Sequence, residues 1–234
     1  MNKLLKYRDS YRELLVLPSG ERIVIRLIQP GDKALLSDGF DSLSKESRFR
    51  RFLNEKKRLS SDELIYFTEV DQQDHFALGM VSLDENGMEK SGVAIGRFIR
   101  LNNDSESAEV GLTVADDMQG KGVGQQLLER LISAAQERGI SKFRFECLPH
   151  NLQMKNLVLK LCGDVRFKSE GGVTIAEATI PDQPVPISIP SPVELIDGLV
   201  CQMQGFISDG LKYQSGLSLD LMRHSLDVPF KLKL

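Results

Sequence analysis

Three glycines at alternate positions, Gly120, Gly122 and Gly124, open what must otherwise be a long helix. After them, apolar residues at 123, 127, 128, 131, 132 and 135 recur at the three-to-four spacing of one buried stripe. Arg138 and then Gly139 close that helix, a cation in the last turn followed by a residue that tolerates left-handed geometry. Before the glycines, Glu109-Val110-Gly111-Leu112-Thr113-Val114 reads as a strand and Ala115 to Met118 as a short polar turn. Glycine costs about 1 kcal/mol relative to alanine inside a helix. The first turn, however, has N–H groups with no partner in the helix and carries the positive end of the dipole. Glycines there let a phosphate reach those amides directly, which makes a diphosphate cradle. An ordinary tight strand-to-helix turn would use the same residues, and spacing alone leaves both readings open.

The better-known phosphate loops fit poorly. Lys121 is not followed by Ser or Thr as in a Walker loop, and Gln125 stands where a dinucleotide fingerprint needs its last glycine. Gln119-Gly120-Lys121-Gly122-Val123-Gly124 instead resembles the Q/R-x-x-G-x-G/A signature of the GNAT superfamily of N-acetyltransferases, and the likeness extends over about residues 21 to 180. Within the superfamily it is greatest to the catalytic domain of bacterial Pat-type protein-lysine acetyltransferases. Ser42 to Phe49, Arg51-Phe52, Asp74 to Leu78, and Ala108-Glu109-Val110 running into Thr113 to Asp116 carry that finer resemblance.

The resemblance implies an α/β (α+β) fold, a mixed and mostly antiparallel sheet of about seven strands covered by helices. It implies acetyl-CoA as cofactor, with the pyrophosphate on Gln119, Gly120, Lys121, Gly122, Val123 and Gly124. Main-chain groups of Leu112, Thr113 and Val114 would face the thioester, and Asn151 resembles an asparagine that contacts the cofactor arm. Asn151 is equally suited to cap the next helix. Glu109 is placed as general base. Without the family it would be an ordinary solvent-facing strand glutamate, and Glu106 is the reserve. Many members carry a tyrosine acid in the helix after the asparagine; here Asn156-Leu157-Val158-Leu159-Lys160-Leu161 has none. The implied partner is an acceptor amine, a protein lysine in the Pat-type group. A small-molecule amine and a non-catalytic acyl-CoA-binding module are the alternatives.

Composition narrows the remaining classes. A hydrophobic content of 41% and a charged content of 27% are those of an ordinary globular chain. A net charge of −3 gives no overall footprint for nucleic acid. No apolar run spans a bilayer or resembles a signal peptide, so the expected location is cytoplasmic. Cys147, Cys162 and Cys201 are too scattered for a disulfide framework, and His75, His150 and His224 show no metal-ligand spacing, so no metal is expected.

Along the chain, residues 1–20 form an extension with the first hairpin strand, and residues 1–12 are expected as a short surface helix or tail. The acetyltransferase domain occupies 21–180. Glu13 to Leu17 and Arg22 to Ile28 read as a hairpin about Pro18-Ser19-Gly20. Asp32 is expected to cap a helix running to Leu43, and Ser60-Ser61-Asp62-Glu63 another running to about Val70. Between them, residues 45–58 hold seven lysines and arginines against two glutamates. That segment is either a solvated helix face or a rim of the acceptor groove. Strands follow at 75–83, 92–100, 109–114, 142–148, 165–168 and 173–180, with Asn102 to Ser107 as a polar loop. Residues 181–192 are a proline-rich linker. Residues 193–234 are a helical extension whose apolar positions between 195 and 211 share one face. That face must dock, either on its own domain or on a second copy as a homodimer.

Overall fold

The computed structural model describes residues 5–182. The linker beyond Asp182 and the expected C-terminal helix, with its self-docking or homodimer contact, lie outside those residues.

Alternating apolar residues build one sheet of eight strands, one more than the seven or so expected. β1 (Arg12–Val16) and β2 (Arg22–Leu27) form the hairpin, whose turn uses Gly20 at φ +92°. β3 (His75–Leu83), β4 (Glu89–Leu101), β5 (Asp104–Val114), β6 (Lys142–Cys147), β7 (Val165–Glu170) and β8 (Val173–Thr179) follow. The spatial order is β1-β2-β3-β4-β5-β6-β8-β7. Every neighbouring pair is antiparallel except β5 with β6. A parallel pair needs a crossover, and the long amphipathic helix α4 (Val123–Glu137) supplies it.

The sheet is covered on both faces. α4 and α5 (Leu152–Leu161) lie on one side, where Leu127 and Leu131 of α4 reach Leu112 and the open space over Gly96. α1 (Lys33–Ser42), α2 (Lys45–Phe52) and α3 (Ser61–Thr68) lie on the other, where Arg51 of α2 covers Gly111. Adjacent strand residues point to opposite faces, so Leu112 and Gly111 report the two sides. The main core joins Ile23, Ile25, Phe76, Leu78, Phe98 and Phe143 to the stripe of α4. Each such side chain contributes about 1.5–3 kcal/mol on burial.

Three local expectations change. Residues 5–11 form no helix: Tyr7 is fully buried, its ring 6.3 Å from that of Phe76, and Arg138 Nη2 donates to the Tyr7 carbonyl at 2.7 Å. Two tyrosines with aromatic partners anchor this segment in the core, where the polar residues between them suggested a surface. Asp32 stands at the N-cap of α1 as expected, but its side chain makes no capping bond. Its oxygens accept from both terminal nitrogens of Arg26 at 2.7 Å, and a charge-assisted bidentate pair outcompetes a cap. The polar loop shrinks to Asn102-Asn103, because Asp104 to Ser107 pair onward as the start of β5. The expected cap within Ser60-Ser61-Asp62-Glu63 is a capping box between Ser60 and Glu63. Among the described residues no helix is long and apolar enough to cross a membrane.

Candidate active site

The glycine loop is a main-chain surface. Gly120 and Gly122 adopt φ of +73° and +78°, left-handed conformations that favour glycine. Gly122 stands at the N-cap of α4 and, having no side chain, caps nothing. The N–H groups from Gly120 to Gly124 have no hydrogen-bond acceptor among the described residues. Gly124 has no left-handed requirement. A β-carbon there would meet Val114 and Leu157 at ordinary contact distances of 3.7 and 3.8 Å.

The two polar side chains of the hexapeptide turn away from those amides. Gln119 Nε2 donates to the Val114 carbonyl and Asp116 Oδ1 at 3.1 Å and to Ser47 Oγ at 3.2 Å. Lys121 Nζ reaches Glu21 at 2.9 Å, in the turn between β1 and β2. Both therefore brace the loop, while Val123 is buried in the core. Asp116 also accepts from the Ser44 amide at 2.6 Å, which ties the start of α2 to the same loop.

Beside the loop the parallel pair parts. β5 and β6 register from Ser107 opposite Lys142 to Val110 opposite Phe145, and then separate. Gly111 to Val114 continue to pair with β4, opposite Arg97 to Ala94, so their other edge is free inside the sheet. By alternation the main-chain groups of Leu112 and Val114 face that edge, where the Val114 carbonyl accepts from Gln119, whereas those of Thr113 face β4 and not the opening. Asn151 caps α5, its side-chain oxygen accepting from the Met154 amide at 3.1 Å. That is one of its two expected uses, and it leaves the side-chain nitrogen available.

Glu109 is half-buried on the last registered stretch of β5, opposite Arg144 of β6. Its carboxyl forms no hydrogen bond or ion pair among the described residues. Burial and the nearby Glu146 hold its pKa above the ordinary carboxylate value, against the pull of Arg144 and Arg51. Arg144 is itself engaged by Glu146 at 2.6 Å. Glu106 is exposed, accepts from Ser141 Oγ at 3.3 Å, and has the opposite strand parity from Glu109.

On the α1–α3 side of β4 and β5 lies a cavity of about 90 Å³, lined in part by Arg51, Phe52, Phe67, Arg97, Gly111 and Thr113. Arg97 is only 5% exposed, with its guanidinium 4.3 Å from the Phe67 ring and Nη1 3.3 Å from His75 Nε2. Burial and the like charge of Arg51 bring the Arg97 pKa down to about 9. Burial first, and then Arg97, pushes His75 down to about 4, so this imidazole is neutral near neutral pH. The Tyr66 ring packs 5.0 Å from that of His75, behind Arg97. Sequence reasoning singled out none of Arg97, His75 and Tyr66 for the site. The available signal was one arginine inside the apolar run from Val93 to Ile99.

Among the described residues no three His, Cys, Asp or Glu side chains gather as metal ligands. Burial raises both described thiols, Cys162 to about 12, which keeps them from the thiolate form.

The fold and the loop agree with a direct family comparison. Residues 34–164, more than half of the chain, match the acetyltransferase (GNAT) family, and the chain belongs to it. It is 34% identical over 179 residues to the acetyltransferase Pat of Mycolicibacterium smegmatis, an alignment covering 76% of this chain and 51% of that protein. The chain therefore spans about half the length of that curated relative. The GNAT domain of S. lividans PAT superposes with a TM-score of 0.65 at 29% identity, covering 74% of this chain and 99% of that one. The yncA protein of Salmonella typhimurium, solved with its cofactor acetyl-CoA, shares the fold alone: TM-score 0.53 at 17% identity, over 70% of this chain and 97% of that one.

Proposed function

We propose that this chain transfers the acetyl group of acetyl-CoA directly to an amine, the side chain of a lysine on a protein partner, with Glu109 as general base. A cytoplasmic location is part of the same reading. The observation that carries it is the run of unpartnered amides from Gly120 to Gly124 beside the free edge of β5. Those amides fit a diphosphate, and the positive end of α4 adds to the attraction. Gln119 and Lys121 would hold the loop in shape, and Asn151 would meet the arm of the cofactor through its side-chain nitrogen. When bound, acetyl-CoA supplies an acyl group activated as a thioester, whose carbon–sulfur bond breaks as the amine nitrogen bonds to the acetyl carbon.

The chain's own residues then have two tasks. Main-chain N–H groups within Leu112 to Val114 donate to the acyl oxygen as negative charge grows there; one such donor is typically worth about 10²–10³ in rate. Glu109 accepts the proton of the incoming ammonium, directly or through one water. A lysine with a free pKa of about 10.4 costs roughly 4.6 kcal/mol to present neutral at pH 7. General-base help is worth about 10²–10⁴-fold, and a carboxyl raised by burial is better matched to that task than a solvated one. α5 offers no tyrosine as acid toward the thiolate, which would either leave without one, its free pKa being about 8.5, or be protonated by another group.

Isothermal titration with acetyl-CoA tests the cradle, and Glu109→Gln tests the base. The variant is expected to bind acetyl-CoA within a few-fold of the native protein and to transfer at least about tenfold more slowly. Equal rates would remove Glu109 from the mechanism. Mass spectrometry of candidate proteins incubated with labelled acetyl-CoA separates a protein lysine from a small amine.

A further inference from the structure

The acceptor-side cavity contains two arginines and no anion to answer them. Arg97 is almost wholly buried, and its neighbours are a ring face and a neutral imidazole. Arg51 is half-buried over Gly111, next to the ring of Phe52, with no hydrogen bond or ion pair among the described residues. Asp32 lines the space, and Glu109 stands just outside it, two residues along β5 from the lining residue Gly111. Asp32 is consumed by Arg26, at both oxygens, and by the Gln29 amide at 2.7 Å. Glu109 is near enough to feel Arg51 but does not pair with it. Tyr66 contributes only a neutral phenol, since burial raises its pKa. Like charges held together in an apolar enclosure are costly unless an anion joins them.

We propose that Arg51 and Arg97 form a receptor for a carboxylate carried by the acceptor, so that the enzyme selects amines with an acidic group a short distance from the nitrogen. This rests on the transferase reading and names the substrate class of that site. The spacing follows from the strand. Arg97 stands opposite Gly111, and Arg51 lies over Gly111, two residues along β5 from Glu109. Residues two apart on one face of a strand are separated by about 7 Å. An acceptor whose carboxylate meets the arginines while its ammonium meets Glu109 therefore needs an apolar spacer of about that length. An ω-amino acid satisfies this, and so does a lysine flanked by an acidic residue.

The test compares charged and neutral twins. 6-Aminohexanoate against 6-aminohexanamide, and a lysine peptide flanked by glutamate against its glutamine twin, distinguish a free amino acid from a protein segment as the carboxylate source. In at least one pair the native protein should favour the carboxylate by about tenfold or more in kcat/KM, the usual worth of a charge-assisted contact. Arg51→Gln should bring that ratio toward one, and Arg51→Lys should restore part of it, with acetyl-CoA affinity within a few-fold as a check on folding. A second readout does not need turnover: hexanoate, and not hexanamide, should raise Tm at constant ionic strength in the native protein and do so less in Arg51→Gln. If both pairs are used equally and hexanoate gives no shift, the carboxylate receptor is overturned. If hexanoate raises Tm while no acceptor is acetylated, the anion site stands and the transferase reading falls.

Discussion

The guanidinium of Arg51 fills the space over Gly111: a β-carbon there would lie 2.6 Å from Nη2 and 2.8 Å from Cζ. α2 approaches β5 this closely because one of the two positions has no side chain. The obstacle is the far end of a flexible residue, so Gly111→Ala should displace the arginine and leave the strand intact. The expected outcome is a stability change of about 1 kcal/mol or less, acetyl-CoA affinity within a few-fold, and a several-fold rise in acceptor KM. Melting curves with steady-state kinetics would check this; an unchanged KM would detach Arg51 from acceptor binding.

Glu109 sets a pH dependence in two observables. As a base it must be ionised, so log kcat/KM should rise with pH up to the raised carboxyl pKa and flatten above it. Glu109→Gln should remove that inflection. For stability the sign is the reverse. The folded state holds this proton more tightly than the unfolded chain, whose value is near 4.5, so the stability the group contributes is present below that value and lost as pH rises through the folded one. Relative to the native protein, Glu109→Gln should therefore gain in Tm at about pH 7 and lose that gain on acidification toward about pH 4. A pH series of melting curves measures it.

Two glycines of the loop separate conformation from access. Gly122→Ala places a β-carbon on a left-handed residue, at a cost of about 1–2 kcal/mol, and should weaken acetyl-CoA binding as well. Gly124→Ala meets only ordinary contacts and replaces glycine in a helical turn, worth up to about 1 kcal/mol in favour of the variant. It should fold at least as well as the native protein. A fall in its acetyl-CoA affinity by calorimetry would then report close approach of the ligand and nothing else.

Arg130 is wholly buried in α4 and meets Glu13 of β1 through Nη2 at 2.5 Å and Nε at 3.1 Å. Glu13→Ala would strand that cation, at a cost of about 3–5 kcal/mol by urea unfolding. The Lys121–Glu21 pair, more than a third exposed on both sides, should cost less than about 1 kcal/mol when Glu21 is replaced by Gln.

The contrast between these residues shows what the chain discloses by itself. The stripe of α4 is periodic within fifteen residues, and the loop before it is marked by glycine, whose cost in a helix start demands a reason. Both are local, and both were legible. The bidentate partner of Arg130 lies 117 residues away, so nothing near it announces burial. Arg51 and Arg97 come from a basic run and an apolar strand, and each looked ordinary in its own neighbourhood. Their shared cavity exists only after β4, β5 and α2 assemble. Asp104 to Ser107 misled in the opposite direction, since polar residues at an exposed strand start look like a loop. Glu109 was identified by resemblance, and its burial and its neighbours by the fold.

The family match begins at residue 34, yet Tyr7 is sealed against Phe76, and the Glu13 carboxylate neutralises a charge within the matched helix. A recombinant fragment cut to the matched boundaries would discard four strands (β1, β2, β7 and β8), an aromatic plug and a counter-ion together, leaving Arg130 without its carboxylate. The stretch that the family signature spans is thus shorter than the stretch that keeps water out of this chain.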